Sequence, residues 1–491
     1  MAINFPNTVS PPQPTSTAID ELAKLINEHQ FPALPLRPLL VEHLLPLLLN
    51  PSFSSPCFVS SLFSRLYSAH SLPHKSLEVF RFSLLHFPSS LSSCSIPVLI
   101  NILARSPRRL LFPSSAFLLL DLARRAIPSL LTTAALSALL SPLASRSPSP
   151  FDATLSAFNR AERIWAAAGH ELFAANELTA LLRAFCACGR LSEARAAFRL
   201  LHSRITPDAR SLNTLLLGFG KAGHIAALDL FFHEILVRGF QPDAVSYNIR
   251  IHAYCRKNRF FEALQLTDEM ERRSIPLTVR TMTTLIHGAG IAGETCRARE
   301  LFDEMLKRRI LPDRGAYNAL MGAVVRAGDV QSGIEIFDEM EMKEIEWDDV
   351  SFYTILYGFR NLKNFNGFVK IYRRMFEKGF VPRTRTVMLL MKFFCVKGRV
   401  DLGLELWEFL LGKGCCPHRH ALDSLAKELC CQGRVSDAYE CFKQIVKRGR
   451  LPSERGVQLL EDFLLKAEDG EKLKEMRYMI CNLKALVPIA S

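Results

Sequence analysis

The sequence of 491 residues has no hydrophobic run long enough to cross a bilayer. A membrane-spanning helix needs about 20 predominantly apolar residues with few or no charges. The most apolar stretch, residues 110–140, is interrupted by Asp121, Arg124, Arg125 and Pro128. We therefore predict no membrane span.

The sequence also lacks the cysteine pattern of a disulfide framework. Its 13 cysteines are odd in number, and no secretory signal pattern accompanies them. Most lie in apolar segments that we predict to be helical, where cysteine behaves as a small hydrophobic residue. A reducing compartment is therefore expected.

The usual signatures of catalysis are missing as well. There is no nucleophile elbow, no pair of carboxylates in an irregular loop and no zinc-deaminase motif. The strings GxGxxG at 218–223 and 288–293 would need a preceding strand to bind a dinucleotide, and both end a predicted helix. The cluster CCPHRH at 415–420 lacks the second ligand pair of a structural zinc site. We predict a protein that is not an enzyme and holds no metal or cofactor.

Acidic residues are outnumbered, with 48 Asp and Glu against 61 Lys and Arg, for a net charge of +13. This excess fits either plain solubility or a polyanionic partner such as nucleic acid or an anionic membrane. With 49% hydrophobic residues the chain is not disordered throughout. Its length exceeds one compact core, so it forms several domains or one repeat array.

A strict repeat begins at residue 175. The string QPDAVSYN at 241–248 returns as LPDRGAYN at 311–318, 70 residues later. The position after the proline recurs every 35 residues and closes each unit. These closing residues are Asp208, Asp243, Thr278, Asp313, Asp348, Arg383, His418 and Ser453.

Each unit is predicted to contain a first helix, a turn and a second helix. Glycine usually occupies the fifteenth place, as at Gly223 and Gly293, where a left-handed residue ends a helix. Apolar residues of the second helix recur at i, i+3, i+4 and i+7. One such stripe is Ala298, Leu301, Phe302 and Met305. Two helices cannot bury both faces alone, so the units are expected to stack into a superhelix with a concave wall.

The unit resembles the pentatricopeptide repeat. DDVSFYTILYGF at 348–359 with MFEKGFVP at 375–382, and AVSYNIRIHAYCRKNRFFEALQLTDEM at 244–270, carry the resemblance. The tetratricopeptide repeat is excluded, because it has a period of 34 residues and a Trp-Leu-Gly-Tyr pattern that this sequence lacks. The resemblance implies an all-α, right-handed superhelical solenoid of the plain class that binds single-stranded RNA, one base per repeat. Eight repeats span 175–453, the first one residue short, and 454–491 is a partial repeat or C-terminal cap.

The segments before the repeats are less regular. Residues 1–55 are predicted to be a leader or targeting arm. Transit peptides are rich in arginine and poor in acidic residues. Here Asp20 and Glu21 precede the first arginine, Arg37, so the transit-peptide character of this arm is weak. Residues 56–174 are expected to be degenerate helical repeats or an N-terminal cap. The resemblance implies a plant organelle, the mitochondrion or alternatively the chloroplast, and a role in RNA splicing, end protection, stability or translation.

The resemblance assigns base reading to the fifth and last residues of each unit. Unpaired bases offer free hydrogen-bonding edges to such side chains. The pairs are Thr179 with Asp208, Asn213 with Asp243, Asn248 with Thr278, Thr283 with Asp313, and Asn318 with Asp348. By the family's pairing preferences Thr–Asp implies guanine, Asn–Asp uracil and Asn–Thr a pyrimidine. The expected core is 5′-GUYGU-3′.

The last three units carry Tyr353, Met388 and Asp423 at the fifth position, and we assign them no base. Tyr353 and Met388 either stack on a base or fill the groove. Second positions vary too. Val245 and Val350 fit the apolar residue that the resemblance implies, whereas Arg210, Arg280 and Arg385 do not and could stack on a base instead.

Lys221, Arg256 and Arg326 share the thirteenth position. They either contact RNA phosphates, as the resemblance implies, or complement the dipole at a solvated helix end. Other RNA-processing factors are a further class of partner. The rival interpretation is a helical scaffold for protein partners that binds no RNA.

Overall fold

The computed structural model describes residues 14–49, 56–68, 71–105, 112–146, 149–447 and 451–486. Within these ranges every regular element is helical and none is a strand. None of the described helices combines the length and hydropathy that a bilayer-spanning helix needs. The predicted all-α fold class is confirmed. The chain divides into two compact units, one up to Ala253 and one from Tyr254.

The helices before residue 175 are α1 (Pro14–Glu28), α2 (Arg37–Leu39), α3 (Leu45–Leu49), α4 (Pro56–Ser68), α5 (Pro73–His86), α6 (Ser95–Ala104), α7 (Phe112–Ala126), α8 (Thr133–Arg146) and α9 (Pro150–Ala167). The first helices of the repeats are α10 (Ala175–Ala187), α12 (Ala209–Ala222), α14 (Ala244–Arg256), α16 (Val279–Ala292), α18 (Arg314–Arg326), α20 (Asp349–Asn361), α22 (Thr384–Val396), α24 (Arg419–Cys431) and α26 (Glu454–Lys466). The second helices are α11 (Leu191–Leu201), α13 (Ile225–Val237), α15 (Phe260–Arg272), α17 (Thr295–Lys307), α19 (Val330–Met342), α21 (Phe365–Glu377), α23 (Val400–Gly412), α25 (Val435–Lys447) and α27 (Gly470–Leu486).

The N-terminal region is also built of packed helices. Helix α1 packs against α4 and buries Leu22, Ala23 and Ile26. The helix starts at residues 56, 95, 133 and 175 are separated by 39, 38 and 42 residues, so this region departs from the 35-residue period. Residues 1–13 and 50–55 of the predicted arm and 487–491 of the predicted C-terminal cap lie outside the described residues. The domain boundaries and the targeting role of the arm stay predictions.

The repeats fold as helical pairs that end at the predicted place. Gly223 and Gly293 have φ of 75° and 81°. Where glycine is absent, Asn258 and Lys363 take the same left-handed conformation, with φ of 58° and 54°. A left-handed residue ends an α-helix and turns the chain toward the next one. The turn at the fifteenth place is therefore confirmed.

The apolar stripe of the second helices forms the core. Ala298, Leu301, Phe302 and Met305 are all buried. The ring of Phe302 meets that of Tyr317 on the next first helix edge-on, with 5.0 Å between centroids. Burying a large apolar side chain contributes about 1.5–3 kcal/mol. Stacking of neighbouring repeats therefore buries apolar side chains that a single hairpin would leave exposed.

The closing residue of each unit begins the next first helix. Asp208 Oδ1 accepts a hydrogen bond from Ser211 N at 2.7 Å, and Asp313 Oδ1 accepts one from Ala316 N at 2.9 Å. Such a side-chain cap satisfies a backbone N–H that the helix leaves without a partner. Arg383 stands at the same place before α22 and makes no side-chain cap.

Successive first helices approach closely along their tenth and twelfth positions, which we call the small-residue seam. A Cβ on Gly218 would lie 2.8 Å from Cys186 Sγ. A Cβ on Gly290 would lie 2.6 Å from Ala323 Cβ and 2.9 Å from its Cα. Real Cβ atoms essentially never make such short contacts, so a larger residue at these places requires its neighbours to move. The GxGxxG strings therefore serve helix packing, and no strand precedes them in the described chain.

We predict that Gly290→Ala lowers the free energy of unfolding by about 1–3 kcal/mol, because the backbone of Ala323 must move to admit the methyl group. Gly412→Ala is the matched control. Nothing lies within 4 Å of a Cβ at this helical position. Urea unfolding of both variants measures the difference, and equal midpoints would contradict the close approach.

We predict that Asp313→Ala lowers the free energy of unfolding by about 0.5–2 kcal/mol, because the first turn of α18 loses its cap. Asp313→Asn should retain most of the stability, since asparagine caps equally well. Arg383→Ala is the control at the equivalent position without a cap, and it should change stability by less than about 0.5 kcal/mol. Thermal unfolding of the three variants distinguishes capping from a general effect of the position.

Candidate nucleic-acid interface

The predicted base-reading residues occupy equivalent places on packed helices. In the second unit α16, α18, α20, α22 and α24 pack successively against one another, and in the first unit α10 packs against α12. Residues at the second, fifth, ninth and thirteenth positions share one side of a 3.6-residue helix. Within each unit these positions therefore form one face, which we call the reading face.

Both Asn–Asp pairs are brought together. Asn213 Nδ2 donates to Asp243 Oδ1 at 3.3 Å, and Asn318 Nδ2 donates to Asp348 Oδ1 at 3.1 Å. Each pair is 30 residues apart in the sequence. The same contact thus recurs in both units.

A serine completes each Asn–Asp pair. The hydroxyl of Ser246 lies 2.8 Å from both Asn213 Oδ1 and Asp243 Oδ1. Ser351 Oγ donates to Asn318 Oδ1 at 2.7 Å. Sequence reasoning missed these serines. Their regular place, three residues after the closing aspartate, is a signal that could have revealed them.

These contacts leave hydrogen-bonding capacity for a ligand. An amide has two donor hydrogens and two acceptor lone pairs, so the asparagine keeps one of each. Burial would raise the pKa of Asp243, but hydrogen bonds from Ser246 and Asn213 outweigh it and hold the pKa below its ordinary value. The carboxylate is therefore ionised at neutral pH and acts only as an acceptor. The pair offers a donor and acceptors side by side.

The threonine pairs differ from the asparagine pairs. Thr179 is only 3% exposed, and its hydroxyl donates to the backbone oxygen of Ala175 at 2.7 Å. Across the described residues no hydrogen bond joins Thr179 to Asp208 or Thr283 to Asp313, because the threonine hydroxyl is shorter than an amide. The structure does not join these two predicted pairs.

Two reading positions hold buried polar atoms without a partner. Asn248 Oδ1 and Thr283 Oγ1 have no hydrogen-bond partner within the described part of the chain. Such an atom costs about 1–3 kcal/mol when it is left unsatisfied. Asn248 and its predicted partner Thr278 belong to different units, and Thr278 Oγ1 caps α16 by accepting from Thr281 N at 3.2 Å.

One further pair is joined that the sequence analysis left without a base. Ser453 Oγ donates to Asp423 Oδ1 at 2.6 Å. His420 Nδ1 lies 3.0 Å from Asp423 Oδ2. The complementary donor and acceptor at the last and fifth positions could have signalled this contact.

The second positions carry arginines without a carboxylate partner. Arg210, Arg280 and Arg385 are exposed, and among the described residues no acidic side chain pairs with them. They stand in the first turn of a helix, where the partial positive charge disfavours a cation by about 0.3–1 kcal/mol. On the second helix α17, by contrast, Arg297 pairs with Glu300 at 2.8 Å. The reading face therefore holds positive charge that the fold itself does not neutralise.

The predicted phosphate contacts lie on the same face but are not equivalent. Lys221, Arg256 and Arg326 are all exposed. Arg326 Nε donates to the backbone oxygen of Gly290 at 3.2 Å, so one donor of this guanidinium is already used in a contact with the small-residue seam. Exposed cations at the ninth position add positive charge to the reading face. These residues were not identified from the sequence. They are Arg183, Lys392 and Lys427.

The cysteines from Cys94 to Cys481 are free thiols. Burial raises the pKa of Cys255 and Cys395 to about 12, so these thiols stay protonated and unreactive at neutral pH. In the described ranges no group of three or more His, Cys, Asp or Glu could hold a metal ion, and this includes the cluster at 415–420.

Comparisons with known proteins identify the family. Models of the PPR repeat match 178–204, 280–310, 315–345 and 423–450, a PPR repeat family model matches 242–291, and a pentatricopeptide repeat domain model matches 335–396. Among solved structures, this chain is similar to the pentatricopeptide repeat protein PPR10 in complex with an 18-nt psaJ RNA element. The two sequences are 15% identical, the match covers 89% of this chain and 80% of the PPR10 chain, and the TM-score is 0.36. The putative pentatricopeptide repeat-containing protein At1g02420 of Arabidopsis thaliana is 34% identical over 89 residues, 18% of each protein. The pentatricopeptide repeat-containing protein At3g61360 of Arabidopsis thaliana is 41% identical over 474 residues, 96% of this chain and 92% of its own length. This chain therefore belongs to the pentatricopeptide repeat family.

Proposed function

We propose that this protein binds single-stranded RNA selectively and performs no chemistry of its own. The observation that carries the proposal is the recurrence of one polar arrangement, Asn213 with Asp243 and Asn318 with Asp348, on the reading face of each unit. A polar group held at the same place in a 35-residue hairpin is suited to a ligand with a repeating spacing. The edges of successive unpaired bases have this property.

The charge of the reading face supports a polyanion. Arg210, Arg280 and Arg385 are exposed and lack a carboxylate partner among the described residues. The chain as a whole carries a net charge of +13. Phosphates that approach these guanidinium groups would form charge-assisted hydrogen bonds, which are stronger than neutral ones.

The bases follow from the reading pairs in order. The pairs from Thr179 to Asp348 give the core 5′-GUYGU-3′ by the preferences of the family. The two uracil positions belong to the joined Asn–Asp pairs, so we expect the sharpest discrimination there.

We predict that an RNA containing GUCGU binds about 5- to 150-fold more tightly than one in which either uracil is replaced by adenine, the range expected for one mismatched base. A base change outside the pentamer and its 3′ neighbour serves as the control. Fluorescence anisotropy at fixed salt measures the affinities. Equal affinity for all single-base variants of the pentamer would contradict the assignment.

We predict that Asn318→Ala abolishes discrimination at the fifth base of the pentamer, because it removes the amide that faces the base edge. Gln331→Ala is the matched control, since Gln331 is an exposed amide on the second helix α19. Titration of both variants with the uracil and adenine forms of the fifth base tests this. Undiminished selectivity in Asn318→Ala would show that Asn318 does not read a base.

A scaffold for protein partners is the second candidate. Large apolar side chains are exposed on the second helix α13 of the first unit, with Leu230 at 64% and Val237 at 75%. Exposed apolar groups favour protein contacts over a polyanion. Salt dependence separates the two candidates, because each phosphate neutralised on single-stranded RNA gives a slope of about −0.7 in log affinity against log salt.

We predict that Arg280→Ala reduces the magnitude of this slope by about 0.7, the contribution of one phosphate contact. Arg297→Ala, a paired arginine on a second helix, should leave the slope unchanged. Affinities measured between about 50 and 200 mM salt cover the steep range. A slope near zero for the wild-type protein would favour the scaffold.

In the cell, we place this activity in a plant mitochondrion, with the chloroplast as the alternative, in RNA splicing, end protection, stability or translation. A bound array would block a nuclease or hold an intron unfolded without a catalytic group. Crosslinking in cells followed by sequencing of the protected RNA tests the target and the compartment together. A footprint confined to cytosolic transcripts would contradict the organellar role.

A further inference from the structure

The repeat 349–383 carries an aromatic stack on the reading face. The rings of Tyr353 and Tyr357 lie on successive turns of α20, with centroids 5.9 Å apart and planes inclined by 21°. The guanidinium of Arg385, on the next first helix, lies 3.9 Å from the Tyr353 centroid. Arg360 lies 4.9 Å from the Tyr357 centroid. We call these four side chains the Tyr353–Tyr357 platform.

The platform stands where the neighbouring repeat holds its reading residue. Tyr353 is the fifth residue of its unit, as Asn318 is of the preceding one, and α20 packs against α18. Both tyrosines are partly exposed and Arg385 is exposed. A nucleotide that follows the one at Asn318 would therefore meet the platform next.

This repeat lacks the polar pair of the preceding repeat, Asn318 with Asp348. Its closing residue Arg383 makes no side-chain cap, and no hydrogen bond links it to Tyr353 in the described part of the chain. An aromatic ring and a planar guanidinium attract any base through its π-face, whatever its hydrogen-bonding edge. The platform thus favours stacking over edge recognition.

The surrounding charge favours RNA over an apolar protein segment. Arg360 and Arg385 flank the rings, and Lys392 is exposed at the ninth position of α22. No carboxylate among the described residues pairs with Arg385. Cations beside aromatic rings are the combination that sequence-tolerant single-strand binders use.

We propose that the repeat 349–383 binds the nucleotide 3′ of the pentamer by stacking on the Tyr353–Tyr357 platform, without selecting its base. The inference rests on the proposed RNA binding and adds a sixth contact that tolerates all four bases. It extends the site by one nucleotide and leaves the sequence preference of the pentamer unchanged.

The test uses four RNAs that carry GUCGU followed by A, C, G or U. The full-length protein should bind the four within about threefold of one another, since stacking depends little on base identity. Tyr353→Ala should lower affinity for each of the four by about 5- to 150-fold, the range for loss of one stacked base. Tyr353→Phe, which keeps the ring, should retain most of the affinity. Tyr478→Ala removes a tyrosine that is 68% exposed on α27 and is the matched control.

Two measurements keep the test independent of the folding of Tyr353→Ala. Arg385→Ala alters an exposed side chain and should weaken all four RNAs alike. An abasic sixth nucleotide should weaken binding to the wild-type protein by the same factor, and Tyr353→Ala should then add little further loss.

The outcomes separate this inference from the proposed function. If the wild-type protein binds GUCGU but neither Tyr353→Ala nor the abasic nucleotide weakens binding, the platform holds no base and this inference fails alone. A strong preference for one base at the sixth place would also overturn it. If the wild-type protein binds none of these RNAs, the proposed function fails with it.

Discussion

The close approach of successive first helices is the constraint on which the rest of this structure depends. Gly218 against Cys186 in the first unit and Gly290 against Ala323 in the second leave no room for an added methyl group. At this separation a fifth residue can reach the residue that closes its own unit and caps the following helix. Between α18 and α20 the seam residue is Gly358, where an added Cβ would lie 2.8 Å from Val325 Cγ1. A larger residue there would increase the spacing of these two helices and separate Asn318 from Asp348. The helix packing and the reading face are thus set by the same small residues.

The closing residue of a unit uses the same oxygen atom to cap the next helix and to contact the fifth residue of its own unit. Asp243 Oδ1 accepts from Ser246 N at 2.8 Å and also from Asn213 Nδ2. Its chemistry is therefore restricted to side chains that can cap a helix, as the aspartates, Thr278 and Ser453 do. Base selectivity that depends on this position can vary only within that set without loss of stability. Arg383 lies outside the set, and its repeat carries the aromatic platform instead of a polar pair.

The period, the helix boundaries and the core stripe could be predicted because each depends on local chemistry that recurs every 35 residues. The pairing of Asn213 with Asp243 was predicted through the family resemblance, and the structure joins the two side chains. The seam, the bridging Ser246 and Ser351 and the Arg385–Tyr353 stack could not be predicted, since they depend on distances between helices that no local pattern encodes. The sequence indicates degenerate helical repeats or a cap for residues 56–174, but the helix bounds there could not be predicted, because the spacings of 39, 38 and 42 residues give no constant register.

The arginines at the start of the first helices have a consequence for the protein without a ligand. Asp208 caps α12, whereas α22 begins with both Arg383 and Arg385 and has no side-chain cap; Asp349 Oδ1 accepts a hydrogen bond from the backbone N of Arg383 at 2.7 Å. The helix dipole disfavours cations in the first turn, and this helix end carries two arginines for the one carboxylate of Asp349. An anion bound there would reduce this unfavourable interaction in the folded state. A ligand that binds this folded array and not the unfolded chain would therefore raise its thermal stability, in proportion to the logarithm of the ligand concentration.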